Sequence, residues 1–95
     1  MNLRFEWDSH KAAANLKKHR VGFEEAQTVF IDERAFIFDD ELHSDAERRE
    51  IIIGHSIRNR LLLVCFTERD DAVRIISARR VTGNEQNDYE ANTGG

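Results

Sequence analysis

The stretch that decides the fold is Arg74-Ile75-Ile76-Ser77-Ala78-Arg79-Arg80. Its paired β-branched residues favour a β-strand, and the strand ends in two adjacent arginines. A guanidinium group stays charged and presents a planar fork of donors that suits a phosphate. The chain is acidic overall, with a net charge of −4 at pH 7. Three arginines on or beside one strand therefore indicate a surface that faces a phosphodiester.

Working outward from this strand, the pattern predicts two more strands of the same kind, at residues 49–55 and 60–67. All three are rich in Ile, Leu and Val, and the links between them are short and turn-like, which favours an antiparallel meander. Residues 3–7 alternate apolar and charged side chains, as a half-buried strand does. A short apolar stretch at residues 35–38 precedes an acidic segment, residues 39–47, which we interpret as an exposed loop.

Three helices are predicted from their capping and spacing. Asp8 or Ser9 can cap a first helix that ends near His19. After Gly22, a second helix places four apolar residues on one face, namely Phe23, Ala26, Val29 and Phe30. The tetrapeptide Thr82-Gly83-Asn84-Glu85 matches a capping box, so a last helix should run to about Ala91.

This order of elements predicts an α+β domain. It would consist of a small antiparallel sheet with two N-terminal helices and one C-terminal helix. We expect one domain over residues 1–91 and a frayed tail at residues 92–95, since 95 residues leave no room for a second core.

Charge is unevenly distributed along the chain. Residues 1–20 and 58–80 each carry a net charge of +3, whereas residues 21–50 carry −7. Such segregation can give one basic and one acidic face, although chain blocks can also mix in the fold and leave no basic face. The single cysteine, the absence of a secretory leader and the absence of a long apolar run indicate a cytoplasmic protein with no membrane contact.

Four residues are candidates for catalysis of RNA cleavage. When a ribose 2′-hydroxyl attacks its own phosphate, fixed guanidinium groups such as Arg79 and Arg80 can stabilise the negative charge. Proton transfer needs a base and an acid, for which His19 and Glu68 are candidates. Arg74 and Arg80 are six positions apart, so a regular strand would place them on one face, opposite Arg79 unless the strand has already ended there. The alternative is that these arginines pair with the acids of residues 39–50 and only hold the surface together.

Further residues are candidates for RNA binding. The set consists of Lys11, Lys18, Arg69, Arg74 and Tyr89. The cations would contact phosphates and Tyr89 would stack on a base, whereas Trp7 is better explained by core packing. The four histidines lack the spacing of metal ligands, so we expect no metal site and no cofactor.

The motifs together resemble one known family, the BrnT toxins of bacterial type II toxin–antitoxin pairs. The matching pieces are Phe5-Glu6-Trp7-Asp8, Lys11, Asn15, Lys18-His19, Phe23-Glu24-Glu25-Ala26, Phe30, Arg49, Gly54, Thr67-Glu68-Arg69, the stretch 74–80, Glu85 and Tyr89. The resemblance covers residues 3 to 90. The chain departs from the family pattern at two places. Arg20 stands where a glycine often follows the Lys-His pair, and the last helix is neutral to acidic here rather than basic.

The resemblance implies a RelE-like fold and a metal-independent endoribonuclease that inhibits translation. It implies a BrnA-type antitoxin protein as the partner, with operator DNA contacted only through that antitoxin. On the matching motifs, the polar positions it points to are Lys11, His19, Glu68, Arg69, Arg74, Arg79 and Arg80, and it leaves open which is the base and which the acid.

Two other functions compete with the ribonuclease. The acidic balance and the neutral last helix are also compatible with a non-catalytic interaction module, a lapsed toxin that binds the antitoxin and tunes operon repression. Direct DNA binding by this chain alone is disfavoured by its net charge and by the lack of a recognition helix.

Overall fold

The structure of the chain, a computed structural model, describes residues 3–43 and 47–93 and has the predicted α+β architecture. Its strands are β1 (Arg4–Glu6), β2 (Phe36–Asp39), β3 (Glu50–His55), β4 (Leu61–Arg69) and β5 (Ala72–Arg80). Its helices are α1 (Ser9–His19), α2 (Phe23–Ala26) and α3 (Gly83–Thr93). After α2 the second predicted helix continues as a 3-10 helix over Gln27–Ile31.

The ends of the elements differ only locally from the prediction. The last helix continues to Thr93, into the segment expected to fray, and residues 94–95 lie outside the described part. The expected acidic loop begins later, because Asp39 still belongs to β2 and Glu41–His43 form a short 3-10 helix. Residues 44–46 of that loop are likewise outside the described residues. None of the described helices combines the length and apolar character that a membrane crossing requires.

The five strands form one mixed sheet in the order β1-β5-β4-β3-β2. The run from β2 to β5 is antiparallel, as the short links predict. The turn between β4 and β5 has positive φ at both Asp70 and Asp71, as a two-residue hairpin turn requires. Strand β1 instead joins the far side of β5 in parallel, so the sheet is not purely antiparallel.

The two sides of the sheet bury separate apolar clusters. One side, here called the helical face, packs α2 and the 3-10 helix against Ile52, Leu62, Val64, Phe66 and the core residues of β5. The opposite side, here called the open face, carries a smaller cluster of Ile53 and Leu63 under Tyr89 of α3. Because α3 buries only Tyr89, it covers just part of that face.

A β-bulge in β5 changes the side on which its residues lie. Cys65 pairs with Ser77 and Phe66 pairs with Ile75, which leaves Ile76 as an extra residue. Consequently, the helical-face core takes Ile75 and then Ala78, three positions later instead of two. The prediction that Arg74 and Arg80 share a face is therefore wrong: Arg74 and Arg79 lie on the open face, and Arg80 on the helical face.

Asn15 attaches α1 to the outer edge of β5. Strand β1 pairs only with residues 72–74, so beyond Arg74 no described strand pairs with this outer edge of β5. There the buried Asn15 amide donates to the carbonyls of Ala78 and Val21 at 2.9 Å and accepts from the Ala78 N–H at 3.1 Å. Asn15 thus satisfies strand groups that a sixth strand would otherwise pair.

A second polar anchor joins α2 to the turn between β3 and β4. The buried Glu25 carboxylate accepts hydrogen bonds from both Arg60 and Ser56, the latter at 2.6 Å. The hydrogen bond from Arg60 holds the pKa of Glu25 below its ordinary value, so the pair stays ionised. Arg60 also donates to the carbonyl of Arg20 at 3.1 Å, which places the end of α1 beside the start of β4.

Replacing Asn15 should destabilise the fold more than its single side chain suggests. In Asn15→Ala, the buried N–H and C=O of Ala78 lose their partner, so we expect a loss of about 3 kcal/mol in the free energy of unfolding. Denaturant unfolding followed by circular dichroism measures this difference. The matched control is Asn84→Ala, which removes an exposed amide and should change stability by less than about 0.5 kcal/mol. Equal effects of the two substitutions would contradict the anchoring role.

Candidate active site

The structure gathers part of the predicted site along the contact between α1 and β5. Lys11, Asn15 and Lys18 follow helical spacing and so form one stripe of α1, with His19 one turn after Asn15. Since Asn15 contacts Ala78, this stripe follows the free edge of β5. Arg80 lies two residues after Ala78 on the same face. We call this strip of surface, defined by Lys11, Asn15, Lys18, His19 and Arg80, the α1–β5 seam.

The cations of the seam are available to a ligand. The side chains of Lys11, Lys18, His19 and Arg80 form no hydrogen bond or ion pair with any residue that the structure describes. Lys11, Lys18 and Arg80 are exposed, and His19 is half-buried. Because a free guanidinium or ammonium group binds phosphate without first breaking an internal ion pair, the seam is the described region best suited to hold a nucleic-acid backbone.

The predicted arginines of the open face, unlike the cations of the seam, are paired with carboxylates. Arg69 pairs with Glu47 at 3.1 Å, Arg74 with Glu6 at 2.8 Å and Arg79 with Glu85 at 2.8 Å. These pairs correspond to the alternative considered above, although only Glu47 comes from the acidic segment expected to supply the partners. A phosphate would have to displace a carboxylate to reach any of them.

The Arg79–Glu85 pair is the most completely formed of the three. Both nitrogens of the Arg79 fork donate to Glu85 at 2.8 Å, and the N–H of Thr82 donates to the same carboxylate. Glu85 and Thr82 form the predicted capping box at the start of α3. The hydrogen bonds from Arg79 lower the pKa of Glu85 to about 2. Arg79 therefore fastens α3 to the sheet.

Glu68 does not lie near the other candidate catalytic residues. It pairs with Val73 next to the β4–β5 turn, whereas Arg79 pairs with Leu63. Glu68 and Leu63 are five positions apart, so these two residue pairs are separated by about 17 Å along β4. The end of α1 lies near the start of β4 and therefore at the Arg79 end of the sheet. His19, Arg79 and Arg80 share that end, and Glu68 lies at the other.

Tyr89 is not placed to stack on a base, because its ring is only 4% exposed and stacks on Phe36. Its hydroxyl instead joins a polar group that sequence reasoning missed. The hydroxyl donates to Asp32 at 3.2 Å and lies 3.2 Å from Nδ1 of His55. The backbone N–H of His55 donates to the same Asp32 oxygen at 2.7 Å. No spacing in the sequence indicated this group, because Asp32 and Tyr89 are 57 residues apart.

The charges within this group are fixed by its hydrogen bonds. Partial burial raises the pKa of Asp32, but the N–H groups of His55 and Arg34 outweigh it, and the net shift is downward. Burial, reinforced by the Asp32 carboxylate, raises the pKa of Tyr89. Asp32 is therefore ionised and Tyr89 protonated at neutral pH, which is consistent with donation from the hydroxyl to the carboxylate.

The remaining nucleophilic and metal-binding side chains of the described residues are not grouped into a second site. Burial raises the pKa of the Cys65 thiol to about 11, so the thiol stays protonated. Within residues 3–43 and 47–93, no three His, Cys, Asp or Glu side chains are grouped in a way that could hold a metal ion.

The fold and the seam thus define a small α+β protein with a strip of cationic side chains, and the comparisons with known proteins identify its family. Residues 7–85 match the family model described as ribonuclease toxin, BrnT, of type II toxin–antitoxin system, and the chain belongs to that family. Its structure is similar to the 1.1 Å crystal structure of the Brucella abortus ribonuclease toxin BrnT. That match has a TM-score of 0.65 and 23% sequence identity, and it covers 85% of this chain and 99% of the other. No curated protein matches the chain.

These findings confirm the family resemblance and the fold class. The family is one of ribonuclease toxins, so an antitoxin partner follows from its type II system. The low identity of the Brucella abortus match limits it to support for the fold.

Removing the Glu85 charge should remove a stabilisation that depends on pH. Since the folded-state pKa of about 2 lies below the ordinary 4.5, ionised Glu85 stabilises the fold above pH 4.5, and this contribution is lost as the pH falls towards 2. We expect Glu85→Gln to lose on the order of 1 kcal/mol at pH 7, given the partial exposure of the pair. The difference from the parent chain should shrink as the pH falls through that range.

Unfolding free energies measured between pH 2 and 7 test this expectation. Asp88→Asn is the matched control, because Asp88 is an exposed acid of the same helix whose side chain forms no hydrogen bond or ion pair with any described residue. A pH-independent difference for Glu85→Gln would show that the ion pair does not hold α3.

Proposed function

We propose that this protein is a metal-independent endoribonuclease toxin that binds RNA along the α1–β5 seam. The observation that carries the proposal is a set of cations along that seam with no partner among the described residues, in a chain of a ribonuclease toxin family. Lys11 and Lys18 bind backbone phosphates, and Arg80 binds the phosphate nearest the end of the sheet. Arg69 and Arg74 extend this path only if RNA displaces their carboxylate partners.

The proposed reaction begins with attack of a ribose 2′-oxygen on the adjacent phosphorus. A bond forms between that oxygen and phosphorus, and the bond from phosphorus to the 5′-oxygen breaks. The products are a 2′,3′-cyclic phosphate and a 5′-hydroxyl. Negative charge grows on the phosphoryl oxygens during this step, and the Arg80 guanidinium stabilises it. Arg79 supports the site indirectly by fixing α3 at the same end of the sheet.

Of the two groups first considered for proton transfer, the geometry favours His19 over Glu68. His19 lies at the same end of the sheet as Arg80, whereas Glu68 lies about 17 Å away along the strand. However, the His19 ring has no hydrogen-bond partner among the described residues, so no contact fixes its orientation.

The proposed partner is a BrnA-type antitoxin that blocks cleavage, with operator DNA contacted only through it. A non-catalytic module remains the second candidate, because the open-face arginines are neutralised by carboxylates of the same chain. The two candidates differ in one measurable property: only the enzyme slows translation in the absence of the antitoxin.

Arg80→Ala should abolish RNA cleavage while leaving the fold intact. The substitution removes the free guanidinium and breaks no internal ion pair, so we expect a loss of about 10²- to 10³-fold in cleavage rate. The assay incubates the purified chain with a labelled RNA in excess EDTA, free and on ribosomes, and maps the product ends. Arg79→Ala is less informative, because it also releases Glu85 and α3.

The matched control is Arg48→Ala, which removes an exposed arginine of the Glu68 end of the sheet. We expect this variant to cleave at the parent rate. Cleavage by Arg80→Ala at the parent rate would refute the assignment of Arg80. If the parent chain cleaves no RNA in either form yet binds the antitoxin tightly, the non-catalytic module is the correct function.

A further inference from the structure

A cleft of about 350 Å³ lies between α3 and the end of β3, and it contains the group of Asp32, Tyr89 and His55. The side chain of His55 is 42% exposed, whereas Tyr89 beneath it is buried. The cleft is also lined by Arg34, Asn59 and Gln86. The cleft therefore presents the His55 imidazole to solvent, above the hydrogen-bonded pair of Tyr89 and Asp32.

The hydrogen bonds determine which ring nitrogen of His55 is left as the acceptor. A tyrosine hydroxyl has one proton, and that of Tyr89 is donated to the ionised Asp32. The contact between the Tyr89 oxygen and Nδ1 of His55 must then use the hydrogen of Nδ1. Nε2 is left with its lone pair, which is the form of imidazole that accepts a proton from a hydroxyl group.

This arrangement meets a requirement that His19 does not. A general base must be held in a productive orientation, and chains of the type carboxylate, bridging group and imidazole serve that purpose. His55 is fixed both through its ring and through its backbone N–H. Histidine is also the side chain whose proton exchange ordinarily falls near neutral pH.

The cleft also supplies a group that can bind a phosphate. Arg34 is exposed, and its guanidinium has no partner among the residues that the structure describes. Two carboxylates line the same cleft, but both are engaged. Asp32 accepts from three donors, and Glu90 accepts from Gln86 at 3.2 Å.

The cleft and the seam are close enough for one RNA strand to reach both. Gly54, the neighbour of His55, pairs with Leu62, and Leu62 pairs with Arg80. Two strand spacings, about 10 Å, therefore separate the backbone of Arg80 from the end of β3. An RNA strand bound along the seam can pass around the end of the sheet, so that the phosphate bound by Arg80 also reaches the cleft.

We infer that His55 takes the 2′-hydroxyl proton in RNA cleavage, with Tyr89 and Asp32 as positioning residues. Arg34 then joins Arg80 in binding the attacked phosphate. This inference rests on the proposed ribonuclease activity. Nε2 accepts the proton as the 2′-oxygen bonds to phosphorus, and the leaving 5′-oxygen takes a proton from water. The imidazolium then returns its proton to water, so the step is balanced without a further reactant.

The test compares His55→Ala, His19→Ala and His10→Ala, with and without added free imidazole. His10 is the matched control, an exposed histidine of the first turn of α1. Two quantities are measured: the cleavage rate of a labelled RNA, free and on ribosomes, and the affinity for the same RNA carrying 2′-deoxy sugars, which cannot be cleaved. Circular dichroism establishes that each variant is folded.

We expect His55→Ala to lose about 10²- to 10⁴-fold in kcat, to keep its RNA affinity within about twofold, and to recover cleavage when imidazole is added. A purely structural role for His55 would not produce that recovery. Tyr89→Phe, which keeps the ring packed on Phe36, should lose about tenfold in kcat, because the imidazole remains but is less well held.

Cleavage by His55→Ala at the parent rate would overturn the inference, and so would a loss that imidazole does not restore. If the parent chain cleaves and only His19→Ala is inactive, the proposed function stands and His55 is not the base. If the parent chain cleaves RNA neither free nor on ribosomes, the proposed function fails and this inference fails with it.

Discussion

One extra residue in β5 determines the sides of the sheet on which the arginines lie. In a regular strand without the bulge, Arg74 and Arg80 would point to the same face, and the strand would end with a different side chain towards α1. With the bulge at Ile76, Arg79 faces α3 and pairs with Glu85, while Arg80 faces the helical layer and has no side-chain partner among the described residues. The bulge therefore separates an arginine that holds the structure together from one that is available to a phosphate.

The three helices are joined to the sheet by buried polar contacts as well as by apolar packing. Asn15 attaches α1, Glu25 attaches α2, and Glu85 with Tyr89 attaches α3. Two of these contacts bring functional groups into place. Asn15 sets the seam beside β5, and Tyr89 orients His55. The same interactions that stabilise a small domain therefore position the residues proposed to act on RNA.

The strands and helices were predictable because their signals are local. Ile- and Leu-rich runs, the cap at Asp8 and the box of Thr82 and Glu85 each lie within a few residues of sequence. The parallel pairing of β1 and the bulge at Ile76 depend on distant strands, so strand alternation alone gave the wrong face for Arg80.

The candidate site was predictable only in part. Helical spacing was sufficient to relate Lys11 to Lys18, but not to show that Asn15 would set them beside Arg80. The spacing of Glu68 and Arg79 in the sequence does not show that they lie at opposite ends of the sheet. Asp32, His55 and Tyr89 meet only because β3, α3 and the segment after the 3-10 helix converge, which no short motif encodes.

On the proposed function, RNA follows the seam and turns around the arginine end of the sheet. The most direct test of this path is NMR mapping of the ¹⁵N-labelled chain with a short RNA whose 2′-hydroxyls are replaced by hydrogen. We expect shifts at Lys11, Lys18, Arg80 and His55, with little change at Glu68 and the β4–β5 turn. Shifts confined to the Glu68 end, or none at saturating RNA, would contradict this path.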